Sequence, residues 1–324
     1  WDGVWDVQVS IHEDRWIAEY IIPLKTFRFT NESSQEWGLN IRRRVRSKNE
    51  DSHWSPIPRP YNALRTSMAG TLRGLENIRQ GRNLKIKPFA IGGVRQTKQG
   101  NSLTTDNNYD GGVDLKYGLL PSVTLDVTYR TDFAQVEADQ QQVNLTRFSL
   151  FFPEKREFFI ENAGVFAFGE SLRDRRRYGQ HAPEGSNVIP FFSRRIGLSG
   201  STPVPIVGGA RLSGKVGSYD IGLLSMKTES IDGRAADTFT VGRIKKNLGQ
   251  SSWIGGIFTN RDSTAKGDYN RLLGLDAKFR MFQRLELGAY ILKSQTPDIS
   301  NRNEARQFEV AWLDQDFTIG ARYH

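Results

Sequence analysis

From Ile206 onward the chain alternates apolar and polar residues in stretches of about ten. Leu273, Leu275, Ala277 and Phe279 fall on one side; Gly274, Asp276, Lys278 and Arg280 fall on the other. Past Phe282 and Gln283, the residues Leu285, Leu287, Ala289 and Ile291 repeat the pattern. Side chains of a strand point alternately to its two faces, so this period of two predicts β-hairpins with one apolar and one polar surface. A long run of such hairpins is either a large soluble β-protein or a membrane barrel.

The spacing predicts strands over 188–197, 204–215, 218–229, 237–247, 252–261, 270–281, 284–294, 305–313 and 316–323. Short links at Gly217–Ser218, Phe282–Gln283 and Asp314–Gln315 alternate with longer polar ones at 229–236, 260–268 and 295–305. Short turns on one side and long loops on the other favour a barrel over a Greek-key sandwich. Upstream, Val113–Leu119 and Val123–Tyr129 form a hairpin through Leu120–Pro121–Ser122, and Leu84–Arg95 begins the series. Asp114, Lys116, Thr124, Asp126, Thr128 and Arg130 share the polar face of that hairpin. Glycines within strands, as at Gly208, Gly209, Gly255 and Gly256, fit a curved, closely packed sheet. Tyr129, Phe239, Phe279, Tyr290, Trp312, Phe317 and Tyr323 stand near strand ends or bends, as aromatic girdles would.

Two regions depart from this pattern. Residues 132–186 have no clean period, and a break of that length should be folded and functional. Their aromatic content argues against disorder, so an inserted plug-like segment is expected. Residues 1–75 predict the C-terminal part of a β-sandwich. Val7, Val9 and Ile11 share one side of a first strand, Trp16–Ile22 forms a second, and Trp37–Val45 a third. Residues 76–83 are polar and carry a glycine, as a linker would.

Composition narrows the classes. Hydrophobic content is 37%, and no apolar run reaches the roughly 18 residues of a spanning helix. A barrel stays open, because half of each strand would face a polar lumen. The chain has 0 cysteines, which removes disulfides and thiolate chemistry. The net charge of +9 is spread over many strands beside 36 carboxylates, so a nucleic-acid footprint is not expected. The chain opens and stops on strand-like sequence, and the expectation is a piece cut at both ends, without its signal peptide.

The strings YDGGVDLKYGL, TLDVTYRTDFAQVEADQQQVNLTRFSLFFPEKREFFIENAGVFAFG and FFSRRIG, in that order, carry a resemblance. So do WIAEYIIPLKTFRF, WGLNIRRRVRSKNE, HWSP and GTLRGL nearer the start. Together they resemble an uncharacterised bacterial outer-membrane β-barrel family whose members join a family 9 carbohydrate-binding-like module to a C-terminal barrel. The resemblance implies architecture and location and brings no catalytic residues. It implies a module over 1–75, a linker over 76–83, and a barrel over 84–324 with the 132–186 segment inserted. The module's sugar site would lie largely outside this chain.

Candidate residues fall into two groups. Trp1, Trp5, Trp16, Trp37 and Trp54 crowd the first 54 residues. Trp16 and Trp37 sit in alternating strands and are expected in a core, whereas Trp5 and Trp54 are the candidates for stacking on sugar rings. Asp132, Gln135, Glu137, Asp139, Arg147, Glu154, Arg156, Arg194 and Arg195 form the second group, expected as a polar network in the lumen or plug. Two carboxyls about 5–10 Å apart could instead serve a glycosidase, but salt bridges to nearby arginines are the expected use. Phe148, Phe151, Phe152, Phe158, Phe159, Phe166 and Phe168 should form the segment's own core. The run Arg173–Arg177 suits a solvated loop, lipid phosphates or anionic solutes alike. His12, His53, His181 and His324 lack metal-ligand spacing, and no cofactor or metal is expected.

The overall expectation is an all-β outer-membrane barrel with a carbohydrate-binding-like module, meeting outer-membrane lipid and an oligo- or polysaccharide. It would bind glycan or pass a solute, with the module periplasmic or at the cell surface. The rival is a secreted, soluble all-β polysaccharide-binding protein or glycoside hydrolase accessory. Any activity would be hydrolysis of glycosidic bonds.

Overall fold

The alternating segments form strands joined mainly to their sequence neighbours, as short hairpin links dictate. A computed structural model describes residues 5–24, 27, 29, 32–57, 66–79, 84–99, 102–130, 154, 156–169, 188–199, 202–249, 251–282, 284–314 and 318–323. Eleven strands make one antiparallel sheet: β7 (Leu84–Gln99), β8 (Ser102–Leu120), β9 (Val123–Tyr129), β12 (Ile206–Val216), β13 (Tyr219–Thr228), β14 (Asp237–Asn247), β15 (Trp253–Ser263), β16 (Tyr269–Met281), β17 (Leu285–Gln295), β18 (Glu304–Leu313) and β19 (Thr318–Tyr323). Their order in the sheet is their order in the chain, with β7 and β19 at the edges. Between β9 and β12 lies the irregular stretch, which includes the two-residue strands β10 (Leu198–Ser199) and β11 (Thr202–Pro203).

The two faces of this sheet are buried in an unusual sense. On β16, Leu273 and Leu275 are 63% and 59% exposed, while the alternating Asp276 and Lys278 are buried. The register carries this across the sheet. Leu275 lies opposite Gly256 and Ile291, and Asp276 lies opposite Gly255 and Tyr290. Leu223, Ile244, Ile254, Phe258, Ile291, Phe308 and Ile319 extend the exposed apolar row. Asp126, Arg211, Arg243, Glu286 and Glu309 extend the buried polar one. A soluble sandwich buries its apolar rows against a second sheet. Here the charged rows are covered, and part of their cover is the inserted segment.

That segment contributes a helical turn, α1 (Glu157–Ile160), and a 3-10 turn over Ala163–Phe166. A four-residue helix has no stability of its own. It is held because Phe158, Phe159 and Phe166 join Ile196, Ile206, Leu224, Met226 and Val241 in one buried cluster. Glycines make room for these rings. A Cβ on Gly222 would lie 2.7 Å from Val165 and 2.9 Å from Phe166, and one on Gly274 would lie 2.8 Å from Phe168.

Among the described residues up to 79, the strands form separate two-stranded sheets. β1 (Asp6–Ile11) pairs with β2 (Trp16–Ile21), β3 (Ser34–Leu39) with β6 (Gly70–Glu76), and β4 (Arg42–Val45) with β5 (Glu50–His53). The continuous strand expected over Trp37–Val45 is therefore two strands with different partners. Asn40 makes the break: its side-chain oxygen accepts from the Ile41 and Ser55 amides, and its amide donates to the Ser55 carbonyl. This is the local competition with ladder bonding that asparagine favours.

Other expectations are also corrected. Residues 188–197, read as a strand, form an irregular path with a 3-10 turn at Ser193–Arg195. Pro190 removes a donor there, and the following residues donate and accept locally: the Arg195 amide bonds the Phe192 carbonyl at 3.1 Å, and the Ile196 amide the Ser193 carbonyl at 2.9 Å. Phe239 and Tyr290, expected in outward girdles, point to the covered face; Tyr129, Phe279, Trp312 and Tyr323 lie on the exposed one. Phe317 lies outside the described residues. Trp37 is half-buried beneath Phe27 and Phe29, but Trp16 is half-exposed, with the Arg43 guanidinium 5.5 Å from its ring centre.

Candidate functional site

Charge gathers in three places that involve the inserted segment. The first spans four adjacent strands. Lys85 faces Lys116, Lys87 faces Asp114, Lys116 faces Asp126, and Asp126 faces Arg211, so period two and register put all six on one side. They line a cleft together with Glu157, Phe158 and Glu161 of the inserted segment. Lys87 bonds Glu157, Lys85 approaches it at 3.7 Å, and Lys116 bonds Glu161. Arg211 donates to Asp126 Oδ2 through Nε at 3.1 Å and Nη2 at 2.7 Å. It also donates to the carbonyls of Phe158 and Glu161, and its guanidinium lies 5.0 Å from the Phe158 ring centre. The Thr128 hydroxyl donates to Asp114 at 2.5 Å. Hydrogen bonding from Lys87, with the charges of Lys85 and Lys116 behind it, holds the Glu157 carboxyl below the ordinary value.

The second place joins two of the predicted network residues, Glu154 and Arg156. Arg156 is buried and grips Glu154 with Nε at 2.8 Å and Nη2 at 2.7 Å. It also donates to the carbonyls of Ile196 at 2.7 Å and Ser193 at 2.9 Å, and stacks on Phe159 at 4.2 Å. The Ser193 hydroxyl completes the carboxylate's shell at 2.8 Å. Burial alone pushes the Glu154 carboxyl up; the Arg156 and Ser193 contacts more than offset this and leave it lowered. Arg194 is buried nearby in sequence and Arg195 is exposed. Asp132, Gln135, Glu137, Asp139 and Arg147 lie outside the described residues, as do Phe148, Phe151, Phe152, Arg173–Arg177, His181 and His324.

The third place lies under β14–β17. Arg243 and Asp276 form a two-pronged pair at 2.6 and 2.9 Å, with side chains 1% and 0% exposed. They come from strands separated by β15, and Gly255 between them is what allows the reach: a Cβ there would lie 2.8 Å from the guanidinium. The Gly169 amide donates to the same carboxylate at 2.9 Å, and Phe168 lies 5.6 Å from the Arg243 guanidinium. Lys278 and Glu286, both buried, pair at 3.5 Å.

Glu154 and Arg156 are legible as network residues from the sequence, whereas Arg211, Arg243 and Glu286 are not, and Asp114, Lys116, Asp126, Asp276 and Lys278 are legible only as members of polar faces. The missed signal was opposite charge at inward positions of neighbouring or next-neighbouring strands. Chemically, the arrangement binds charge. The lowered Glu154 and Glu157 stay ionised at neutral pH, which is the wrong state for a glycosidase's acid. Among the described residues, no group of three or more His, Asp or Glu side chains is placed to hold a metal ion.

The tryptophan candidates stand apart from this face. Trp5 is 50% exposed and lies 5.9 Å from the Tyr20 ring. Trp54 is 58% exposed and covers Gly70, where a Cβ would meet its ring at 2.5 Å. They belong to different two-stranded units, one preceding β1 and the other following β5.

Comparison with known proteins adds one match. No curated protein and no solved structure matches the chain. A family model described as "Domain of unknown function (DUF5916)" matches residues 82–248, which run from the start of the large sheet to the end of β14 and include the inserted segment. Since that is more than half of the 324 residues, the chain belongs to the DUF5916 family.

Proposed function

We propose that the eleven-stranded sheet is the wall of an outer-membrane β-barrel, with the inserted segment occupying its lumen. The observation that carries this reading is the inverted burial: exposed leucine, isoleucine and phenylalanine rows alternate with buried, paired charges. A contiguous apolar face of this extent is costly in water and favourable against lipid. Short links at 121–122, 217–218 and 282–284, set against longer ones at 229–236 and 296–303, support the same reading. In this reading residues 1–75 are part of a family 9 carbohydrate-binding-like module in the periplasm or at the cell surface. Trp5 and Trp54 are its exposed stacking candidates. The protein's task is then glycan binding or solute passage at the cell envelope.

The full-length gene, expressed in a Gram-negative host, should yield protein in the outer-membrane fraction with heat-modifiable mobility in detergent gels. Recovery as a soluble monomer without detergent would sink the barrel. For the glycan role, the whole protein and its Trp5→Ala and Trp54→Ala variants should be titrated with a panel of oligosaccharides. Flat titrations across the panel, or affinities indifferent to both substitutions, would remove these residues as the platform.

A further inference from the structure

The cleft on β7–β9 and β12 has a charge balance that suggests an occupant. Its wall carries four cations, Lys85, Lys87, Lys116 and Arg211, against two carboxylates, Asp114 and Asp126. The two remaining negative charges come from Glu157 and Glu161 of the inserted segment. We propose that this basic wall is a binding site for carboxylate-bearing anionic solutes, and that Glu157 and Glu161 occupy it as a built-in competitor.

The contacts divide into a fixed part and a releasable part. Arg211 is buried and committed to Asp126 and to two backbone carbonyls, so it anchors the segment whether or not the glutamates move. Lys87 and Glu157 are different. Their side chains are 44% and 61% exposed, and such pairs contribute little against water. A solute offering carboxylates to Lys85 and Lys87 exchanges one solvated ion pair for another, while Lys116, whose pair with Glu161 is 24% and 30% exposed, is reached only at the inner end of the cleft. The glutamates need only swing aside, and α1 can stay seated on its phenylalanines. The site follows from the folded sheet and does not depend on a membrane.

The test uses citrate as the probe, on the whole purified protein, with chloride at matched ionic strength as control, because exposed charge is screened by salt. Calorimetry should show weak citrate binding to the native chain. The double substitution Glu157→Gln/Glu161→Gln, which keeps side-chain size, should tighten it by about two- to fivefold, in line with removing a competitor worth roughly one exposed pair. Adding Lys87→Gln and Lys116→Gln should abolish it. Hydrogen exchange at residues 157–161 of the native chain should be the same with citrate as with chloride, because only the glutamate side chains move and α1 stays seated. Equal citrate affinity in the native and double-substituted chains, binding that survives loss of both lysines, or exchange at 157–161 that rises at saturating citrate would each overturn the proposal. These readouts need only folded protein, in detergent or free of it, so they are independent of the outer-membrane fractionation.

Discussion

Two ion pairs on the same covered face are built from the same chemistry and serve different ends. Arg243 and Asp276 are sealed, two-pronged and further fixed by the Gly169 amide. Lys87 and Glu157 meet at the rim of a cleft, exposed to water. Removing a charge from water is costly, so a sealed pair holds its partners to one geometry and punishes the loss of either. An exposed pair loses little when broken. The difference separates a permanent brace between strands from a contact that can be exchanged.

The sharpest break of this comparison is Asp276→Ala. It leaves Arg243 buried beside no carboxylate and should cost about 3–5 kcal/mol. Denaturant unfolding measures this, and a loss near zero would erase the distinction. One residue away on the opposite face, Leu275→Arg should cost roughly 2–4 kcal/mol if the exposed row meets the middle of a bilayer. The same change should be near neutral if water bathes that row, so its cost in lipid against its cost in a soluble preparation decides what covers the face. Gly255→Val crowds the path of Arg243 across β15 and should cost about 1–3 kcal/mol, as overpacking does. A stability equal to that of the native chain would show that the guanidinium has another route.

The smallest effect is expected at the rim. Glu157→Gln should change stability by under about 1 kcal/mol. The Glu157 carboxyl is held below 4.5 by Lys87, so the contribution of this contact is complete above pH 4.5 and is lost as pH falls through the lower folded value. Protease protection of residues 156–167 should therefore be flat from pH 8 to about pH 5 and decline only in stronger acid. A decline centred near neutrality would point to a different group.

The sheet was legible from sequence because its information is local. A period of two is written into each ten-residue stretch, and a register slip of one would reverse every face. Thus spacing alone puts Leu273, Leu275, Ala277 and Phe279 on one face and Asp276 and Lys278 on the other. Errors arose where a short run mimicked that period. Residues 188–197 alternate on paper, but a proline and a buried packing role for Ile196 override the pattern. At Trp37–Val45, one asparagine side chain outcompeted the ladder. The charged partners were hidden for another reason. Asp126 and Arg211 stand 85 positions apart, and only the pairing of β9 with β12 makes them neighbours. The grip of Arg156 on Glu154 was within reach because the two are two residues apart.

The same β9–β12 pairing bears on how the chain assembles. Adjacent strands elsewhere in the large sheet are linked by at most eight residues, whereas β9 and β12 are separated by residues 130–205. Closing a long loop carries an entropy cost that short hairpins escape, and non-local pairing is slow. The run from β12 to β19 can therefore zip up hairpin by hairpin, with the slow encounter reserved for joining β7–β9 to it. Residues 156–169 rest on both blocks, through Lys116 on the first and through Arg211 and Asp276 on the second, so their full docking comes after that encounter. Pulse-labelled exchange should find β13–β18 protected before residues 157–166; the opposite order would refute this sequence of events. The sheet forms first, and the segment that covers it docks last.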